Sequence, residues 1–330
     1  MNSITNIELD LNKIHELAGS FRISRIILTA VELSIFTILD KHLLPSSEVA
    51  KQINSDEHST ERLLNALTSL GFIKKLHGKF YNTDSASLYL VEGKPEFIGS
   101  LFQINELWKP WGALTIAVKE GASEMRDYSN CFCTETFITS AHYRAAKEAK
   151  ILAMLLNLNS AKKMLDVGGG SGVNSIGVIE YNPELNAVIF DLPNVIPLTK
   201  KYVNSCSHKD KISCIEGNYL ADDFGSGYDL ILLSAVVHIN SYKQNMDLIK
   251  KCECALNRGG QIVIKDWVMN ENRTEPLGGA IFSINLLVST SGGNTYTENE
   301  IREWFGNSGI TNVERKNSSY GWSLMIGTKT

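Results

Sequence analysis

The segment Leu165-Asp166-Val167-Gly168-Gly169-Gly170-Ser171-Gly172 constrains this chain more than any other. A short apolar run beginning at Met164 leads into it and a helical pattern follows, so the glycines sit at the carboxyl end of a strand. Glycine tolerates positive φ and lets backbone approach a ligand, and doubly wound folds bind ligands at the carboxyl ends of their parallel strands. A dinucleotide fingerprint, Gly-x-Gly-x-x-Gly, would need glycine at Val173, whereas Gly168, Gly170 and Gly172 form Gly-x-Gly-x-Gly. The spacing points to a nucleoside cofactor without a pyrophosphate. Asp191 ends the next apolar run about 20 residues on, where a carboxylate accepts both hydroxyls of a ribose. Either feature alone also reads as a tight turn or a strand-end cap; together they define a nucleoside site. Asp166, Gly168, Gly170, Asp191 and Leu192 are expected to line it. Asn218 and Tyr219 follow the third apolar run and are expected beside the adenine, Asn218 hydrogen-bonded to the base and Tyr219 stacked on it. Ser234, past the fourth run, is a further candidate for the rim.

The surrounding pattern agrees with a doubly wound α/β domain. Short apolar strands at 164–167, 187–191, 212–215, 230–233 and 262–264 alternate with helical stretches, which predicts a parallel sheet. Val313 to Lys316 and Trp322 to Ile326 face each other across a turn and add an antiparallel hairpin. The first third reads differently. From Asp10 to Leu43 apolar residues at helical spacing (Leu17, Phe21, Ile27, Val31, Ile35, Ile38) predict one or two packed helices. A short helix follows Pro45, another is expected to open at Ser59 and end at Gly71, and 72–76 and 79–82 form a hairpin about His77-Gly78. Helix, helix, hairpin is the order of a winged helix. Its recognition-helix candidate, Ser59 to Leu70, has Arg62 as its only basic residue, which favours dimerisation over DNA contact. The apolar surface from Leu17 to Ile38 exceeds what one small domain covers and predicts a homodimer. The expected domains are 1–103, an all-helical and winged-helix dimerisation domain, and 104–330, a Rossmann-like cofactor domain.

Composition narrows the partners. A net charge of -4 with 43% hydrophobic and 21% charged residues is that of a globular protein without the basic excess nucleic acid requires. Met1 to Asp10 lacks the pattern of a secretory signal, and the apolar stretch from Ile26 to Ile38 is interrupted by Glu32, so no membrane span is expected and the cytoplasm is the expected location. The six cysteines include Cys131-x-Cys133 and Cys252-x-Cys254, spacings unlike those of zinc sites, and no metal is expected.

The glycine segment, Phe190-Asp191-Leu192-Pro193-Asn194-Val195, the His238 region and Gly259-Gly260-Gln261-Ile262-Val263-Ile264-Lys265-Asp266 together resemble the plant-type and bacterial small-molecule O-methyltransferases, over nearly the whole chain. The resemblance implies S-adenosylmethionine as cofactor, S-adenosylhomocysteine as product, no metal, and a homodimer interlocked through the N-terminal domain. Gly168, Asp191 and Tyr219 match cofactor-contacting positions, and His238 matches the general base, with Asp266 as the first of two acidic partners. Four positions depart from the family: His238 is followed by Ile239-Asn240 rather than Asp-Trp, a lysine four residues before the base is Ser234, and the second acidic partner is Thr295.

Methyl transfer from a sulfonium is an in-line displacement, so alignment is the main task. A phenol ionises near pH 10, so a histidine that takes its proton makes a better nucleophile at neutral pH. His238 and Asp266 follow neighbouring strands and reach the same crevice. Trp267, Phe282, Asn285 and Leu286 are expected to line an apolar pocket for a small aromatic secondary metabolite, with His142 facing it. Methylation of an enolised carbon, and a family member that no longer transfers methyl, are the alternatives that the same residues allow.

Overall fold

The computed structural model describes residues 9–94, 96–121, 134–158 and 160–330; Cys131 and Cys133 lie outside them. The chain divides into two compact units, 2–106 and 107–330.

In the first unit the apolar periodicity of 10–43 becomes three helices, Leu11–Gly19, Phe21–Glu32 and Ile35–Ile38, rather than one or two. The break before the third is Ser34, in the left-handed region at φ 53. The winged-helix pair is Ser46–Gln52 and Glu57–Ser69. The second of these begins earlier than Ser59, because the Asp56 carboxylate accepts the Ser59 N–H at 2.7 Å and caps the helix. Strands Ile73–Leu76 and Lys79–Asn82 form the hairpin, turned by His77 and Gly78 at φ 49 and 77 as a two-residue loop requires. A third strand, Leu44–Pro45, pairs antiparallel with Phe80 and Lys79. Ile35, Phe36, Leu39, Leu64, Leu67 and Phe80 form the centre of this unit's core.

The second unit is built on a seven-stranded sheet: β1 (Lys163–Val167), β2 (Asn186–Asp191), β3 (Ile212–Glu216), β4 (Tyr228–Ser234), β5 (Leu256–Asp266), β6 (Ile310–Asn317) and β7 (Ser323–Lys329). The order is β6-β7-β5-β4-β1-β2-β3. The first five strands are parallel, and β7 runs antiparallel to β5 and β6. Alternate residues face opposite sides. Leu165, Val167, Ile231, Leu233, Ile262 and Ile264 join one core, whereas Met164, Leu230, Leu232 and Val263 join the other. Both faces are covered, which is why these strands read as continuous apolar runs. Helices α1 (Thr134–Leu155), α2 (Val173–Tyr181) and α3 (Ile196–Asn204) pack on the second core, and α4 (Tyr242–Ala255) and α6 (Glu298–Asn307) on the first. Helix α5 (Leu277–Ser289) lies between β5 and α6 in sequence. Each fully buried Leu or Ile contributes roughly 1.5–3 kcal/mol.

The order in which strands are added reverses at β1: the next strands go outward to β2 and β3, and β4 returns to the other side. The crevice outside β1 and β4 is therefore the topological switch point where such folds bind ligands. Among the described residues no helix is long and apolar enough to cross a membrane, and no cluster of three or more His, Cys, Asp or Glu side chains could hold a metal.

Candidate active site

The turn after β1 holds Gly168, Gly170 and Gly172 at φ 65, 58 and 77. A β-carbon on Gly168 would sit 2.9 Å from Val236 Cγ2, so the glycine permits close approach of the segment after β4. Asp191 closes the turn: its Oδ2 accepts the Gly170 N–H and its Oδ1 the Leu192 N–H, each at 2.7 Å. Burial raises its pKa and these two bonds oppose the rise. Each oxygen keeps a lone pair, which suits a vicinal diol.

Asp166 is fully buried, and burial first of all pushes its carboxyl up to about 7, against the lowering effect of the Ser175 hydroxyl bonded to Oδ2 at 2.7 Å. Its Oδ1 has no hydrogen-bond partner, nor has Oδ1 of buried Asn174, whose amide donates to Ser234 Oγ at 3.1 Å. With Asp166 ionised, these are two unpaired acceptors flanking the glycines, and they fit a ligand that donates hydrogen bonds, such as an amine, better than a phosphate. The residues present thus suit a nucleoside bearing an amino-acid tail.

His142, on α1, reaches the same turn. Its Nδ1 lies 2.9 Å from Ser171 Oγ, its ring stacks on Tyr202 at 4.1 Å, and burial depresses its pKa. Asn218 is exposed, with Oδ1 accepting the Leu220 N–H at 2.9 Å, so part of its side chain is committed to its own turn. Tyr219 lies beside the glycines, its Cε1 3.9 Å from where a Gly168 β-carbon would be, and its hydroxyl donates to Asn240 Oδ1 at 3.0 Å.

The segment after β4 carries His238 on a single tight turn, Val237–Ile239. Ala235, at φ 59, bends the chain there while its N–H bonds Lys265 O at 2.9 Å. A left-handed alanine is a strained feature of the kind that clusters at functional sites. His238 Nδ1 meets both oxygens of Asp266 at 2.8 Å, with the two side chains only 12% and 3% exposed. Asp266 Oδ1 also accepts the Trp267 N–H at 2.8 Å. A carboxylate only accepts, so Nδ1 carries the hydrogen and Nε2 is the basic nitrogen. Phe282 presents an edge contact to the imidazole at 4.9 Å. Thr295 is buried on the segment whose Asn294 N–H donates to His238 O at 3.0 Å, and it brings no carboxylate.

The remaining pocket candidates divide. Asn285 follows Phe282 by one helical turn and its Oδ1 accepts Trp111 Nε1–H at 3.0 Å. Trp267 packs its ring against the backbone of Gly278 and Gly321, and Leu286 is buried within the fold.

The O-methyltransferase domain model matches residues 111–311, more than half of the chain, and the O-methyltransferase dimerisation domain model matches residues 15–92. The chain belongs to the O-methyltransferase family. It is 28% identical over 293 residues to 3-hydroxy-5-methyl-1-naphthoate 3-O-methyltransferase of Streptomyces sahachiroi, covering 86% of this chain and 85% of that enzyme. It is 25% identical over 324 residues to the tetracenomycin polyketide synthesis 8-O-methyl transferase TcmO of Streptomyces glaucescens, covering 95% of each. Its fold is shared with human N-acetylserotonin methyltransferase solved in complex with SAM, with a TM-score of 0.84 at 23% identity over 98% of this chain and 99% of that one.

Three features of this O-methyltransferase are not legible in its sequence. Asn240 and Asn245 are buried and linked, Asn240 Nδ2 to Asn245 Oδ1 at 3.1 Å. Asn174 stands between the glycines and Ser234. Lys265, beside Asp266, pairs at 2.8 Å with Glu148 of α1, with only 8% and 14% of their side chains exposed. The one usable signal was His238-Ile239-Asn240, where asparagine stands in place of the family's tryptophan.

Proposed function

We propose that the chain is an S-adenosylmethionine-dependent O-methyltransferase that methylates a phenolic or enolic hydroxyl of a small aromatic metabolite, with His238 as general base. The observation that carries this reading is the His238–Asp266 pair at 2.8 Å in the crevice next to the glycine turn. Gly168 and Gly170 cradle the cofactor, Asp191 takes the ribose hydroxyls, Tyr219 packs on the adenine, and the orphaned acceptors of Asp166 and Asn174 face the amino-acid part. S-adenosylmethionine, when bound, supplies a methyl group on a positively charged sulfur and leaves as S-adenosylhomocysteine. His238 Nε2 takes the hydroxyl proton while Asp266 fixes the tautomer and stabilises the imidazolium that results. Phe282 and Asn285 border the aromatic substrate. The reading draws on relatives named for a hydroxynaphthoate and for a polyketide. The protein works as a cytoplasmic homodimer joined through residues of the N-terminal unit, on a small molecule rather than nucleic acid or membrane.

Calorimetry with S-adenosylmethionine and S-adenosylhomocysteine, followed by mass spectrometry after incubation with labelled cofactor and a panel of phenols and hydroxynaphthoates, tests this. Binding of both ligands and a labelled aryl methyl ether are expected. Preferential binding of NAD, or label found only on carbon, contradicts it.

A further inference from the structure

The turn bearing His238 is tied to Tyr219 by a chain of buried amides. Asn245 Nδ2 donates to Val237 O at 2.8 Å, so its Oδ1 faces Asn240 and accepts Asn240 Nδ2 at 3.1 Å. That leaves Asn240 Oδ1 to accept the Tyr219 hydroxyl at 3.0 Å. Tyr296 donates its hydroxyl to Asn240 O at 2.6 Å. Asn240 and Asn245 are 2% and 0% exposed, so both amides are held by protein partners rather than by solvent. Val236 presses on Gly168 from the same turn. The segment carrying the base therefore meets the cofactor side at two points, Val236 on Gly168 and Asn240 on Tyr219.

We infer that Asn240 is a positioning residue that couples occupancy of the cofactor site, through Tyr219, to the placement of His238. This inference rests on the cofactor and base assignments above. A nucleoside packed on the Tyr219 ring holds that ring, the ring holds Asn240, and Asn240 with Asn245 holds both ends of the turn on which His238 stands. Aspartate cannot replace Asn240, since its carboxylate would confront Asn245 Oδ1 with no hydrogen between them.

Tyr219→Phe keeps the ring and deletes only the hydroxyl. Its affinity for S-adenosylhomocysteine is expected to stay within about threefold of the parent, while turnover at saturating cofactor falls about tenfold, as for loss of one buried hydrogen bond. Asn240→Ala should lower turnover at least as much, and the double variant should be no slower than Asn240→Ala alone. A second readout needs no turnover. The imidazole NMR signals of His238, identified by their loss in His238→Ala, should shift when S-adenosylhomocysteine is added to the parent and shift less than half as far in Tyr219→Phe. Equal shifts in both proteins, or independent and multiplicative losses of rate in the double variant, overturn the coupling. Full turnover by His238→Ala would instead refute the base assignment, and the NMR comparison would still decide whether Tyr219 and the turn communicate.

Discussion

Asp166 turns burial into a pH dependence. Its carboxyl is raised to about 7 from the ordinary 3.8, chiefly by burial, so between those values the folded chain keeps a proton that the unfolded chain releases. Stability contributed by this group is therefore present at low pH and is lost as pH rises from about 4 toward 7, on the order of 1.4 kcal/mol per unit of pH across that window. Asp166→Asn keeps an acceptor for Ser175 and cannot ionise. Urea denaturation at pH 5 and pH 8 should show a smaller loss of stability on raising the pH in the variant than in the parent; equal losses contradict the assignment. The local parts of the site were legible in the sequence because they are local: three glycines at alternate positions and a carboxylate one strand later. His238 and Asp266 lie 28 residues apart, and their places after neighbouring strands, together with the family resemblance, put both in one crevice, where Nδ1 meets the carboxylate at 2.8 Å. His142 Nδ1 meets Ser171 of the glycine turn, a pairing set by helix packing that no spacing rule conveys. The Tyr219–Asn240–Asn245 chain was illegible for the same reason, since asparagine alone does not reveal its partner.

At the scale of elements, the strands were readable because helices cover both faces of the sheet and leave each strand almost wholly apolar. What escaped were short features decided by a single polar contact or a tertiary pairing: the Asp56 cap, the left-handed Ser34 and the strand Leu44–Pro45. Two element-level predictions follow from contacts that hold the crevice. Glu148→Gln leaves the Lys265 charge buried without its counter-charge between α1 and the end of β5, and should cost about 3 kcal/mol in urea denaturation. A loss below about 0.5 kcal/mol would mean that the pair does not anchor α1. Gly168→Ala combines a positive φ with a β-carbon 2.9 Å from Val236 Cγ2. It should destabilise the fold by about 1–2 kcal/mol and weaken S-adenosylhomocysteine binding more than tenfold in calorimetry; unaltered binding would show that the close approach is not needed.

For the whole molecule, Leu11, Ile14, Leu17 and Phe21 expose 48–70% of their surface on the first two helices, within or next to the segment matched by the dimerisation domain model. Light scattering should give twice the 36.6 kDa chain mass, and Leu17→Glu with Phe21→Glu should shift the protein toward monomer; a monomeric parent at micromolar concentration would remove this role of the N-terminal unit. In the proposed reaction the crevice outside β1 and β4 aligns a hydroxyl for methylation and His238 takes its proton. The most direct test is the rate of methyl transfer to the phenol identified from the panel, measured for the parent and His238→Ala at saturating S-adenosylmethionine, with S-adenosylhomocysteine affinity measured in parallel. Turnover is expected to fall by roughly 10² to 10⁴ with cofactor affinity within about threefold. Full turnover by His238→Ala on that substrate would contradict it.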